Sequence, residues 1–165
     1  MTSSSVHEPP QRSRFVDREL AAEAVAMALP LLEAAMRHPE YGDSGFLHII
    51  VLNPAVTPTD GSFDDAILYE HSIGDRSRWD ADYAGFAHAK ARLSWRHQQD
   101  SAVIQKLRPY SVREGDTTLW GSVALDGIVV GVSGAFPWFD EAYSAIIAVC
   151  LRALAKQRAD RAAQP

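Results

Sequence analysis

Between Leu119 and Glu141 the chain reads LWGSVALDGIVVGVSGAFPWFDE, and the pair Asp126-Gly127 in its middle is the strongest local constraint in the sequence. Both residues reach positive φ readily, as a two-residue hairpin turn of the right twist requires, and β-branched runs flank them. A tight turn pairs Leu125 with Ile128, Val123 with Val130 and Gly121 with Val132 on one face, and Ala124, Ser122 and Trp120 with Val129, Gly131 and Ser133 on the other. The first face is aliphatic. The second is small and slightly polar, so a helix or a ligand can approach it closely.

The remaining elements follow from periodicity and punctuation. Asp17 is placed to cap a helix whose Ala21, Val25, Leu29, Leu32 and Met36 form one apolar stripe. Pro30 should kink or break that helix near Ala26 to Leu29. Phe46 to Leu52 reads as a buried strand, with His48 as its one polar residue, expected to be hydrogen-bonded within the sheet or at its edge. After the turn-rich stretch Asn53 to Phe63, a second antiparallel strand is expected over Ala66 to Ile73, with Ile67, Tyr69, His71 and Ile73 on one face. Ser77 and Asp80 resemble a capping box for a long helix to about Gln98, and Asp100 is placed to cap a short helix that Pro109 closes. Pro137, Asp140 and Glu141 mark the start of a last helix.

This order implies an α+β fold in which helices pack against an antiparallel sheet. With 165 residues, 47% of them hydrophobic, one core is expected. The expected organisation is a flexible tail over residues 1–14, a single domain over 15–158 and a frayed end over 159–165. A net charge of -5 argues against nonspecific nucleic-acid or anionic-membrane partners. The single cysteine, Cys150, excludes an intramolecular disulfide and a multi-cysteine metal site, and no metal ligands are assigned. With no signal-like apolar core and no run of about 18 apolar residues, a cytoplasmic location is expected.

Phosphate loops, dinucleotide fingerprints, nucleophile elbows and metalloprotease motifs are all absent, which leaves single residues to weigh. Trp79, Tyr83, Phe86, Lys90, Leu93 and His97 share one face of the long helix, and Lys90 interrupts an otherwise apolar row. Desolvation there favours a neutral amine, fit to serve as a base or a carbonyl nucleophile. The alternative is an ammonium that reaches the protein edge or pairs with Asp82, Glu70 or Asp140. Ala84, His88, Ala91 and Trp95 form a second side, so the helix is expected to be wedged between the sheet and another surface, such as a second subunit. Ser133, between a strand and a helix, is either a nucleophile or a small packing residue.

Trp79 at the start of the long helix, Ala89-Lys90-Ala91-Arg92 within it, Gly121-Ser122-Val123, Asp126-Gly127, Val130 to Gly134 and Asp140-Glu141 together resemble the GlcG/HbpS family, also called haem-degrading-domain proteins. The resemblance covers roughly residues 75–150. It implies a profilin-like antiparallel sheet of about five strands with helices on both faces, and assembly into homo-oligomers. It also implies binding of haem or another small ligand. The candidate ligand residues are His71, His88, Trp120 and Ser133, with His97 a further conceivable haem ligand. Many relatives carry His-Gly-Gly or Gly-Gly where this chain has Leu119-Trp120-Gly121, so an indole stands in place of a polar group. Three readings follow: a small-ligand or haem module, a small-metabolite enzyme using Lys90, and a noncatalytic assembly or partner-binding protein.

Overall fold

The computed structural model describes residues 12–42 and 44–164, so most of the expected N-terminal tail lies outside the described residues. The elements are α1 (Arg18–Met36), β1 (Leu47–Leu52), α2 (Phe63–Ala66), β2 (Ile67–Ile73), α3 (Tyr83–His97), α4 (Ser101–Leu107), β3 (Val123–Leu125), β4 (Ile128–Ser133) and α5 (Pro137–Ala163). The strands form one antiparallel sheet in the order β2-β1-β4-β3. The class is α+β, with four strands among the described residues where about five were expected.

The strand alternation sets the layers. Leu47, Ile49, Val51, Ile128, Val130 and Val132 pack against α1 and α5. Ile50, Leu52 and Val129 point the other way and pack against Ala87, Ala91 and Trp95 of α3. The sheet thus has helices on both faces, and β1 is buried along its whole length. The α3 layer is tight at Gly131, where an added Cβ would lie 2.8 Å from both the Ala87 carbonyl oxygen and the Ala91 Cβ.

The hairpin register is as the Asp-Gly pair implies: Val123 opposes Val130, Ala124 opposes Val129 and Leu125 opposes Ile128, with φ of 50° at Asp126 and 86° at Gly127. The ladder ends at Val123, short of the pairs extrapolated to Ser122, Gly121 and Trp120. Ser101 Oγ takes the N–H groups of Gly121 and Ser122, each at 3.0 Å, and draws that segment away from β4.

Several boundaries differ from expectation. α1 runs unbroken through Pro30, its Ala21, Ala24, Val25, Ala28 and Leu32 face being buried, so tertiary packing outweighs the proline's missing donor. Ser62 and Asp65 form a capping box for the unforeseen one-turn α2. In β2, the register slips between Val51 and Leu52 because Leu68 is an extra residue, and Ile67 lands on the α3 face, away from Tyr69 and Ile73. Ser77 falls in a 3-10 turn over Arg76–Arg78, and α3 begins only after Asp82, whose carboxylate accepts from the Gly85 N–H at 2.9 Å. Trp79 therefore precedes α3. The Asp100 side chain accepts from Ala124 N–H at 2.8 Å instead of capping α4. The C-terminal end, expected to fray from residue 159, is helical to Ala163. Among the described residues no helix is long and apolar enough to cross a membrane.

Candidate functional site

Lys90 leaves α3 toward the end of β4 and the first turn of α5. Its Nζ donates to Asp140 Oδ2 at 2.7 Å, to the Val132 carbonyl at 3.1 Å and to Ser133 Oγ at 3.2 Å. An ammonium carries three protons, and here all three have acceptors. Lys90 and Asp140 are each only 2% exposed, so the pair is a buried one. Asp140 reaches this position because Pro137 starts α5 one turn earlier, and its Oδ1 accepts from Ala135 N–H at 2.9 Å.

Above the pair lies a cleft of about 230 Å³, walled by Tyr83, Phe86, Leu119 and Trp120 and bordered by Ser44 and Ser133. A buried serine network braces its wall: Ser122 Oγ donates to the Lys90 carbonyl at 2.7 Å and accepts from Ser94 Oγ at 2.7 Å. Ser144 Oγ donates to the Gly121 carbonyl at 2.7 Å. Arg96 grips Asp116 with its two terminal guanidinium nitrogens, and so holds the loop before Trp120 against α3. Lys106 Nζ stands 4.0 Å over the Trp120 ring. The structure thus brings together Lys90, Trp120 and Ser133, and adds Asp140 as the pairing carboxylate. A larger concavity of about 360 Å³ between α1 and α5 is lined by Leu31, Ala34, Ala35, His38, Tyr41, Phe139 and Tyr143. It has no buried charge with which to orient a ligand, so the smaller cleft is the better site.

Burial pushes the Asp140 carboxyl up to about 6, against the opposing pull of Lys90 and of backbone N–H groups. In the unfolded chain this group titrates near its ordinary value of 3.8. Between the two values the folded state keeps a proton that the unfolded state has lost, so the Asp140 contribution falls as pH rises through that window and is level above it. The protein should accordingly lose stability relative to Asp140→Asn as pH rises from about 4 to about 6, read as the difference in urea midpoints. A difference that moves the opposite way would mean that the Lys90 charge outweighs burial at Asp140.

The candidate histidines lie elsewhere. His88, two residues from Lys90, points to a second cluster with His48 of β1 and Glu70 of β2. Glu70 Oε1 is 2.5 Å from His88 Nε2 and 3.0 Å from His48 Nε2, while His48 Nδ1 is 2.8 Å from Ser72 Oγ. Burial pushes the His48 imidazole below its ordinary value, with the Glu70 hydrogen bond opposing. At Glu70 burial pushes upward, but the hydrogen bonds from His88 and His48 outweigh it and the carboxyl is lowered. His71 opposes Ile49 and so belongs to the α1 and α5 face of β2. His97 ends α3 beside Arg96, far along the helix from the Lys90 cleft. Sequence reasoning assigned no ligand role to His48 or Glu70, since the three residues of the cluster come from three elements and share no local spacing.

An antiparallel sheet between helix layers, with a buried lysine-aspartate pair under a small cleft, is an α+β architecture. The fold is similar to that of ORFY from Klebsiella pneumoniae, a protein of the DUF336 family, with a TM-score of 0.53 over 90% of this chain and 99% of that one, at 14% identity. DUF336 is the GlcG-like family to which the sequence bears its resemblance, and at this identity the likeness shows the shared fold. No family model and no curated protein matches the chain.

Proposed function

We propose that this is a GlcG-like small-ligand-binding protein, with its ligand seated in the cleft over Lys90, Asp140 and Ser133 against the faces of Trp120 and Phe86. The observation that carries this reading is the buried Lys90–Asp140 pair on the cleft floor, since burying two charges is expensive and a packed apolar pair would serve stability as well. With its protons committed to Asp140, Ser133 and Val132, Lys90 acts as a fixed cation that positions these groups. That arrangement favours binding over a nucleophilic amine. A cleft of about 230 Å³ suits an occupant smaller than a typical drug-sized ligand. Haem would have to extend beyond it, across a second subunit. Exposed Leu107, Tyr110 and Trp138 support self-association as part of the same reading.

A thermal-shift screen of small acids, amides and carbonyl compounds tests the proposal. A ligand at a hundred times its Kd adds about 2.7 kcal/mol, which for a chain of this length raises the melting temperature by roughly 5–10 °C. The shift should vanish in Ala135→Phe, which fills the cleft mouth. Shifts that persist in that variant would place the ligand elsewhere, and a Soret band on haem titration with a flat small-molecule screen would replace the small ligand by haem. Light scattering gives the assembly size, and a monomer at every concentration would confine the reading to a single-chain cleft.

A further inference from the structure

We propose that His48, Glu70 and His88 form a binding site for one divalent transition-metal ion, held by two imidazole nitrogens and one carboxylate oxygen. The three ligand atoms already lie within 4.8 Å of one another. A metal at ordinary bond lengths of about 2.0–2.2 Å holds its ligand atoms roughly 3.0–3.5 Å apart. His48 Nε2 stands 3.0 Å and His88 Nε2 2.5 Å from Glu70 Oε1, so loading requires the His88 ring to move away from the carboxylate and toward His48, whose nitrogen lies within 4.8 Å of it. The His88 side chain is 30% exposed and has room to do so.

The supporting groups are those a metal site requires. Ser72 Oγ, 2.8 Å from His48 Nδ1, can accept a hydrogen bond from Nδ1–H and so hold the tautomer whose Nε2 lone pair is free for a metal, the outer hydrogen bond that usually orients a ligating imidazole. His48 is buried in the interior strand β1, Glu70 comes from the neighbouring strand β2 and His88 from α3, which packs on β1, so the ligands rest on rigid elements. One nitrogen-rich face of two histidines and one carboxylate selects zinc, iron(II) or cobalt(II) over magnesium and calcium.

Two of the three ligands, His48 and Glu70, line a cavity of about 320 Å³ together with His71, Ser72 and Arg76, and a coordination position left open on that side would face it. Three protein ligands beside an open cavity is the pattern of a metal that receives a further ligand, as opposed to a closed structural site. Arg76 makes that ligand an anion. The Trp79 ring stands edge-on to His48 with centroids 5.8 Å apart and helps to hold that imidazole in place. The cavity shares no lining residue with the Lys90 cleft, so the two proposals stand or fall separately.

The test uses the full, tag-free chain after dialysis against chelator, titrated with Zn²⁺ by calorimetry and with Co²⁺ by visible absorption. One Zn²⁺ per chain and a Co²⁺ spectrum of low coordination number are expected, with no response to Mg²⁺ or Ca²⁺. His88→Ala, at a half-exposed position that tolerates truncation, should lose at least a hundredfold in affinity, and Ser72→Ala roughly 10- to 100-fold. Circular dichroism establishes that each variant is folded, and His71→Ala should bind as the parent does. Zn²⁺ binding that is absent in the parent, or unchanged in both folded His88→Ala and Glu70→Gln, would overturn the site.

Discussion

Replacing Lys90 with methionine is expected to lower the stability of the protein by about 3–5 kcal/mol near neutral pH, because it leaves the Asp140 carboxylate buried without its cation. For a chain of this length that corresponds to a fall in melting temperature of roughly 10 °C. Methionine keeps most of the lysine stem's volume, so the loss reports the charge and its hydrogen bonds more than a cavity. Two further measurements separate this cause from generic damage. At about pH 5 the cost should shrink, since the folded protein already holds a proton on Asp140 there and the pair is no longer fully charged. The double variant Lys90→Met with Asp140→Leu should recover most of the loss, because neither member then leaves an orphan charge. A cost below about 1 kcal/mol at neutral pH would mean that the pair is solvated and contributes as surface pairs do.

The contrast between what was legible in the sequence and what was not follows the range of the interactions. Asp126-Gly127 needs only its own backbone preferences to define a turn, and the register of β3 on β4 follows from it directly. The pairing of β1 with β4 joins residues some eighty positions apart, from His48–Ser133 to Val51–Val130, and no local pattern announces it. Helix starts were ambiguous for a different reason. Asp75, Ser77, Asp80 and Asp82 all have capping chemistry; Asp75 takes the 3-10 turn and Asp82 takes α3. Lys90 is visible in the sequence as a misfit on an apolar stripe, with Asp82, Glu70 and Asp140 among its candidate partners. Only the docking of α3 on β4, which carries the Lys90 ammonium past the end of that strand to the first turn of α5, selects Asp140 from among them. His48 was visible as the one polar residue of a buried strand, but its neighbours Glu70 and His88 meet it only after β2 and α3 have docked on the same face.

Gly134 should be the least replaceable residue at the cleft, and Gly134→Ala is expected to cost roughly 3–5 kcal/mol, the sum of a strained backbone and an overpacked contact. Its φ is +137°, and an added Cβ would lie 2.0 Å from the Phe46 carbonyl oxygen, a backbone atom that cannot step aside without moving the start of β1. Gly115→Ala provides the open-space control: φ is also positive there, at +85°, but nothing lies within 4 Å of the added Cβ. That variant should lose only the conformational part, about 1 kcal/mol. Urea unfolding of both gives the difference, and equal losses would mean that backbone strain alone governs Gly134. The consequence for the site follows from position. Gly134 sits between Ser133, which accepts from the Lys90 ammonium, and Ala135, which donates to Asp140, so any shift that relieves the clash moves both partners of the buried pair. Ligand stabilisation should then fall in Gly134→Ala even at temperatures where the variant remains folded, whereas Gly115→Ala should bind as the parent does.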